Sequence, residues 1–318
     1  GPNASRPILR GMEGERAQIM QNGTSVLDAS SASPDHAVGV DPMVAEQIEI
    51  VRGPASLIYG GGNVGGVINI TDHRIPKESL DGMIGRGEAK YGGADNERSG
   101  VAVVDVGNGS FAIHADAYQR LTDDLKIPKS AAQKLINDGY AEHTKNRRLL
   151  NSGAETNGGA LGASLTFDKG YAGISFAQAN NFYGTVAEPT VSIGMLRRHH
   201  VMEGQWREAG AFQDVKFQLG HTRYTHTEFE TPQATDGTRF VNQGHDFRVE
   251  GRQRNMSLSN DMQLEGVVGV QNERSDVQVR SRDGQSALLP PSRTTSTGVF
   301  TKRSDFLFTF EEAFYFDG

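Results

Sequence analysis

The sequence contains no cysteine and only one tryptophan in 318 residues, and its formal net charge is −7. Bacterial envelope proteins often lack cysteine, but so do many cytosolic proteins, and this absence does not decide the compartment. No run approaches the roughly 18 apolar residues of a membrane-spanning helix, which excludes a helical membrane protein. No basic run is interleaved with aromatic residues, and this argues against a nucleic-acid partner.

Recognisable catalytic patterns are also missing. The nine histidines form neither the H-E-x-x-H pattern nor a paired cysteine–histidine spacing, and no G-x-S-x-G elbow is present. We therefore expect that the chain is not an enzyme and has no tightly bound cofactor. No signal peptide is visible either.

Glycine, by contrast, is abundant at 39 residues, and it concentrates in residues 48–71, IEIVRGPASLIYGGGNVGGVINIT. The alternating Ile48 and Ile50 predict a strand, which the Gly53-Pro54 pair ends. One helical turn, a glycine run and a second strand follow. A phosphate-binding loop would need a Lys-Ser/Thr after its last glycine, and a dinucleotide fingerprint would need its glycines before a helix. Here the glycines precede a strand.

This stretch resembles the signature of the plug domain of TonB-dependent outer-membrane receptors, usually written IE-V-RGP-S-LYG----GG-INI. The upstream segment, which includes SASPDHAVGVDP, is similar to the plug of the ZnuD-like zinc-uptake branch. The resemblance implies a mixed α/β plug at residues 1–76, whose own N-terminal part is missing.

The remainder, residues 77–318, shows strands with a period of two. Phe111 and Ile113 alternate with His114 and Asp116, and residues 161–167 and 215–220 repeat the pattern. Short turns alternate with long links, which lie at 121–156, 181–198, 228–244 and about 274–295. The first link on the same side, 92–98, is the one exception and is short. This parity is typical of outer-membrane barrels, with periplasmic turns on one side and extracellular loops on the other. An eight-stranded soluble barrel with a ligand cavity is the alternative.

We therefore predict a mostly β fold, a transmembrane antiparallel β-barrel with the plug in its lumen. The segments give about eleven strands, half of the roughly 22 that plug-bearing barrels use. The chain would then hold most of a plug and the first half of a barrel wall. A short helix is expected from Ser130, inside the first long link.

The resemblance also implies roles for particular residues. Arg10, Glu49 and Arg52 would pair with the barrel wall and lock the plug, an interpretation favoured over ordinary solvated charges because a plug inside a barrel has little free solvent around it. Asp35 and His36 lie at the tip of the plug, where zinc-uptake relatives bind metal, and carboxylate and imidazole are suitable zinc ligands.

Two departures weaken the zinc assignment. The third extracellular link has no histidine before His199, where the zinc branch carries a histidine-rich tract. The stretch before Pro290-Pro291 retains only Asp283 as an acidic residue, and Asp283 is therefore a weaker metal candidate. A metal chelate would instead use aromatic and arginine contacts, for which Tyr183, Arg197 and Arg198 are candidates.

The expected function is TonB-dependent uptake across the outer membrane of a metal ion, zinc in the first place, or of a metal chelate such as siderophore-bound iron or haem. The expected partners are the TonB–ExbB–ExbD complex, outer-membrane lipid including lipopolysaccharide, and the transported metal or chelate. A passive pore or an adhesion barrel is the alternative from a different class.

Overall fold

The computed structural model describes residues 3, 6–31, 33–60, 62–231, 234, 236–254, 256–259, 262–281, 287–305 and 309–317. Residues up to Pro76 form a small mixed sheet, here called the N-terminal unit. The following residues form a large antiparallel sheet, and the N-terminal unit lies against its inner face. Among the described residues, no helix combines the length and the apolar character that crossing a membrane requires.

The N-terminal unit has four strands in the spatial order β2-β1-β4-β3. They are β1 (Ala17–Gln21), β2 (Thr24–Ser25), β3 (Gln47–Val51) and β4 (Gly66–Thr71). Strands β1 and β4 are parallel, and the other pairs are antiparallel. Three 3₁₀ turns accompany them, at Gly14–Arg16, Pro42–Val44 and Gly53–Tyr59.

The glycine-rich stretch folds as its sequence predicts, as strand, turn and strand. At Gly66 the φ angle is +128°, and a Cβ atom there would lie 2.7 Å from the carbonyl oxygen of Val51. Only glycine accepts both the angle and this close approach. The glycines thus allow β4 to start tightly against β3.

Fifteen strands follow in the described part of the chain. They are β5 (Asp81–Gly92), β6 (Glu97–Asn108), β7 (Phe111–Thr122), β8 (Leu125–Lys126), β9 (Thr144–Lys145), β10 (Arg148–Leu149), β11 (Ala154–Phe167), β12 (Gly170–Gly184), β13 (Ser192–Arg207), β14 (Phe212–Phe229), β15 (Thr238–Gln253), β16 (Met256–Ser259), β17 (Met262–Arg280), β18 (Ala287–Asp305) and β19 (Thr309–Asp317).

Eleven of these strands pair in chain order from β5 to β19 and form the large sheet, and β16 pairs only with β17. Each pairing is antiparallel, so that consecutive strands run up and down. Strands β8, β9 and β10 form a separate small sheet in the first long link. The predicted helix is present there as α1 (Lys129–Asn137).

The predicted alternation is confirmed, and it shows which face is buried. Along β7 the burial pattern alternates: His114 and Asp116 are buried, whereas Ile113 is 48% exposed. Leu161 on β11 is 63% exposed, while Ser164 is buried. The large sheet therefore turns its apolar side chains outward and its polar side chains towards the N-terminal unit. A soluble barrel would do the reverse.

The long links are shorter than their sequence suggests. Strands β12 and β13 leave only residues 185–191 between them, β14 and β15 leave 230–237, and β17 and β18 leave 281–286. The predicted limits 181–198, 228–244 and 274–295 are therefore wrong. Polar residues such as Asn180, Arg198 and Thr225 interrupt the outward apolar row towards these strand ends, so the period-two signal weakens while the hydrogen-bonded ladder continues.

Candidate metal site between the N-terminal unit and the large sheet

The loop of residues 26–41 carries the predicted Asp35 and His36. The side chain of Asp28 joins the two ends of this loop by hydrogen bonds. One carboxylate oxygen of Asp28 accepts hydrogen bonds from the N–H and the hydroxyl of Ser30, at 2.8 and 2.6 Å. The other oxygen accepts from the N–H of Gly39 at 2.7 Å. Burial raises the pKa of the Asp28 carboxyl, although these hydrogen bonds and the nearby Arg197 oppose the rise.

Two side chains of the large sheet hold this loop in place. The N–H of Ala37 donates to the hydroxyl of Tyr183 on β12 at 2.8 Å, and both residues are 1% exposed. From β13, Nη1 of Arg197 donates to the side chain of Gln21 at 3.0 Å and to the carbonyl of Gly39 at 3.5 Å. The loop is therefore fixed against the wall within three residues of His36.

His226 and Glu228 face the loop from β14. They are two residues apart on one strand, so both side chains point to the same face. The ring of His226 is 1% exposed and stacks on Phe240, with centroids 4.3 Å apart and planes 15° apart. Packing therefore fixes the ring orientation before any ligand arrives.

Three potential ligand atoms converge at this point. Nε2 of His36 lies 3.2 Å from Nε2 of His226 and 3.2 Å from Oε1 of Glu228. The third distance, from Nε2 of His226 to Oε1 of Glu228, is 3.4 Å. Zinc binds such atoms at about 2.0–2.1 Å, which places adjacent ligands of a tetrahedral site about 3.3–3.4 Å apart. The three atoms thus have the spacing of one face of a zinc tetrahedron.

Without a metal, the two rings can share a proton across the 3.2 Å gap or each donate Nε2–H to the Glu228 carboxylate. A divalent cation would instead engage all three atoms at once. Nδ1 of His226 is buried without a hydrogen-bond partner in the described structure, and Nδ1 of His36 lies 3.4 Å from Asp35. The group borders a cavity of about 930 Å³, which reaches from His36 to Glu273 on β17. This cavity leaves room for a fourth ligand or for an arriving ion.

The structure separates the two residues of the predicted Asp-His pair. His36 belongs to the converging group, and within the described residues it is the group's only member from the N-terminal unit. Oδ1 of Asp35 lies 3.4 Å from the opposite ring nitrogen, Nδ1 of His36, and also accepts from the hydroxyl of Ser33. Asp35 is therefore placed to orient the imidazole. Asp283 lies outside the described residues.

The three candidate chelate contacts do not share one open surface. Tyr183 and Arg197 are 1% and 4% exposed and already bind the loop. Arg198 is exposed on the opposite face of β13, where it donates to Gln178 at 3.0 Å. The geometry therefore gives these residues no common access to a chelate in the cavity.

Arg10, Glu49 and Arg52 are all exposed, and in the described structure none of them forms a hydrogen bond or an ion pair with the large sheet. The side chain of Glu49 accepts from Gln47 in the same strand. Their locking role stays a prediction.

Other residues make the observed contacts between the two parts. Besides the contacts of Tyr183 and Arg197 with the loop, they include Arg74 with Asp116 at 2.9 Å, Arg120 with Asp41 at 2.6 Å, Ser25 with Glu273 at 2.7 Å, and Arg248 with the carbonyl of Ile58 at 3.0 Å.

His226 and Glu228 are not among the predicted site residues, because the predicted link begins at residue 228 and no pattern marks His226 as a ligand. The signal was present in the sequence as His-x-Glu, the spacing that puts two ligands on one face of a strand.

Comparison with known proteins identifies the N-terminal part. Residues 1–67 match the family described as TonB-dependent Receptor Plug Domain. The ferrioxamine B receptor of Salmonella typhimurium (strain SL1344) is 34% identical over 97 residues, which cover 30% of this chain and 12% of the receptor. The hemin receptor of Yersinia pestis is 36% identical over 123 residues, 39% of this chain and 16% of that protein.

A solved structure extends the likeness to the large sheet. The copper transporter OprC superposes with a TM-score of 0.74 at 14% identity, covering 99% of this chain and 50% of the transporter. At this identity the likeness establishes the fold alone. The chain thus spans about half of that transporter and a smaller share of the two receptors, and all three are receptors or transporters by name. Residues 1–67 thus match the TonB-dependent receptor plug family, and the chain as a whole has the plug-and-barrel fold, with part of the barrel present.

Proposed function

We propose that this chain is part of a TonB-dependent outer-membrane transporter that takes up a divalent metal ion, with zinc as the first candidate. The observation that carries this proposal is the convergence of His36, His226 and Glu228 within 3.4 Å of one another. The ligands come from both parts of the fold. A bound ion would therefore link the plug to the wall.

The outward face of the large sheet supports a place in the outer membrane. Ile113, Leu165, Ile174 and Val299 are exposed on this face, and the polar neighbours His114 and Ser164 of the first two are buried on the other. Such a surface is stable when it faces lipid and costly when it faces water. On this basis the plug lies in the lumen, and the strand ends near the metal site face the outside.

The donor set favours an ion over a chelate. Two imidazoles and a carboxylate are ligands for zinc and for copper(II), and they bind a naked cation directly. A siderophore or haem would need an open surface of aromatic and arginine groups, whereas Tyr183 and Arg197 are occupied by the loop. The relatives named for ferrioxamine B, hemin and copper show that several cargoes are represented among similar proteins.

The transport step follows from the loop's position. The outer membrane holds no nucleotide pool, so energy would come from the TonB–ExbB–ExbD complex acting on the plug. A pull that shifts loop 26–41 would withdraw His36 from His226 and Glu228, leaving the ion with two of its three ligands. The loss of one ligand weakens the site, and the ion can then pass into the lumen.

Calorimetric titration of the folded chain with Zn²⁺ and with Cu²⁺ tests the proposal. We expect saturable zinc binding by the native chain and by His143→Ala, which removes a histidine outside the site. The double variant Asp35→Ala/His36→Ala should bind at least about 100-fold more weakly, because it loses one ligand and the group that orients it. Equal heats from native and double-variant chains, or no heat from either, would overturn the zinc proposal.

A second test addresses energy coupling in cells that carry the complete receptor. Uptake of ⁶⁵Zn²⁺ should stop when the proton gradient is collapsed. Continued uptake would support the alternative of a passive pore.

A further inference from the structure

The outward face of strands β12–β15 carries an ordered set of side chains, far from the metal site's ligands. Directly opposed positions on these four strands place Phe176, His200, His221 and His245 in one line, here called the histidine row. Their rings are in contact along the line. The centroids are 4.6 Å apart for Phe176 and His200, 5.9 Å for His200 and His221, and 4.5 Å for His221 and His245.

On one side of the histidine row the surface is apolar. The next outward positions are Ile174, Met202, Leu219 and Phe247, and each is at least 38% exposed. Together with the histidine row they line a groove of about 750 Å³ on the outer surface of the sheet. A groove of this composition facing lipid would accept an acyl chain.

On the other side of the histidine row the surface is basic. The next outward positions are Gln178, Arg198, Arg223 and Gln243, also directly opposed across the strands. Arg198 and Arg223 are both exposed, and neither forms an ion pair among the described residues. Like charges directly opposite each other destabilise a sheet unless an anion lies between them.

Some other outward arginines of the sheet have carboxylate partners. Arg274 and Arg293 share Asp276, at 3.2 and 2.6 Å, and Arg98 on β6 pairs with Asp123 at 3.2 Å. Arg239 and Arg280 are also exposed and directly opposed, and they form no ion pair among the described residues. What distinguishes the pair Arg198–Arg223 is its place, one step along the strand from the apolar groove.

The change from apolar to basic also locates this surface relative to a bilayer. An arginine on the lipid face of a barrel is costly at the midplane and nearly free at the interface, where it reaches headgroups. The arginines lie at the end of β14 that also carries Glu228, the end assigned above to the outside. They would thus lie at the headgroup level of the outer leaflet.

We propose that this surface binds a phosphorylated acyl lipid of the outer leaflet, with its phosphate between Arg198 and Arg223 and an acyl chain in the groove beside the histidine row. Cross-strand Cβ atoms lie about 4.5–5.5 Å apart, so two guanidinium groups can hold one phosphate. The imidazole rings form the boundary, with apolar faces towards the chain and polar edges towards the headgroup. This inference rests on the membrane placement proposed above and is independent of zinc.

Native mass spectrometry of the folded chain in mild detergent tests the lipid site. The chain is titrated with diphosphoryl lipid A and with the same lipid after removal of both phosphates. We expect half-saturation at an about tenfold or more lower concentration for the phosphorylated lipid, because charge-assisted hydrogen bonds to phosphate are lost with its removal. Equal half-saturation for both lipids would overturn the proposal.

Variants assign the preference to the two arginines. Arg198→Gln/Arg223→Gln should bind both lipids alike, whereas Arg198→Lys/Arg223→Lys should keep much of the preference because it keeps the charge. Arg98→Gln, an outward arginine with its own carboxylate, should behave as the native chain. A Gln double variant that keeps the full preference while migrating as a folded barrel in an unheated gel would overturn the assignment.

Two further outcomes separate this proposal from its premises. Displacement of the lipid by an equal concentration of inorganic phosphate would overturn the lipid as the occupant. A folded chain that stays dispersed without any detergent would overturn the membrane placement itself, which the binding titration alone does not test.

Discussion

Two buried polar clusters lie where the N-terminal unit meets the large sheet, and they differ in how completely they are satisfied. In the first, Arg74 binds Asp116 at 2.9 Å, and both ring nitrogens of His114 meet carboxylates, Asp116 at 3.1 Å and Asp105 at 2.8 Å. In the second, Nε2 of His36 and Nε2 of His226 both face Oε1 of Glu228, at 3.2 and 3.4 Å, and Nδ1 of His226 is buried without a hydrogen-bond partner in the described structure.

The difference indicates different roles. The Arg74 cluster balances its carboxylates with the chain's own cation and acts as an anchor. The His36 cluster brings two ring nitrogens and a carboxylate oxygen together with no arginine or lysine partner among the described residues. A divalent cation between these three atoms would supply the charge that the cluster lacks.

The largest expected effect comes from breaking the anchor. Arg74→Met leaves Asp72 and Asp116 without their buried cation and should lower the free energy of unfolding of the N-terminal unit by about 3–5 kcal/mol. Hydrogen exchange of the β1 and β4 amides in urea would measure this change. Arg198→Met, an outward arginine, serves as the control, and a loss below about 1 kcal/mol in Arg74→Met would remove the anchor role.

The next largest effect is expected from zinc binding to the His36 cluster. Zinc at about 100 times its dissociation constant should raise the free energy of unfolding by about 2.7 kcal/mol, since it binds only the folded site. The same urea experiment with and without zinc measures it. If His226→Phe gained the same stability from zinc, the ion would be binding elsewhere.

A smaller effect is expected when the incomplete cluster is removed without metal. His226→Phe keeps the stacking on Phe240 and removes a buried unpartnered nitrogen, so the free energy of unfolding should change by no more than about 1 kcal/mol. Urea unfolding in the presence of a chelator tests this. A loss as large as that of Arg74→Met would mean that the cluster is a structural anchor after all.

The smallest effect concerns the residues that the family resemblance singles out as locks. Arg10→Ala and Arg52→Ala are exposed, and each should change the free energy of unfolding of this chain by less than about 0.5 kcal/mol. A loss several times larger would show that these arginines have partners that stabilise the unit, as the resemblance implies.

Much of the fold could be predicted from the sequence because two signals are local. Alternation in β7 depends on which face turns towards the N-terminal unit, and the glycine-rich stretch depends on backbone angles and close approach at Gly66. The strand ends are harder to predict, because outward polar residues such as Asn180 and Thr225 interrupt the alternation there. His226 follows Thr225 directly.

Only the part of the site that lies in the N-terminal unit could be predicted from the sequence. Asp35-His36 is contiguous and similar to a known plug, whereas its partners are some 190 residues away in the chain. Their meeting depends on the register of β14 against its neighbours and on how Tyr183 and Arg197 hold the loop. Neither is encoded in a local pattern.

The most direct test of the metal site is an anomalous difference map at the zinc edge from crystals grown with Zn²⁺. The account predicts one strong peak about 2.0–2.1 Å from Nε2 of His36, Nε2 of His226 and a carboxylate oxygen of Glu228. A zinc-saturated crystal with no peak there, or with its peak only at other histidines such as His143 or His200, would contradict it.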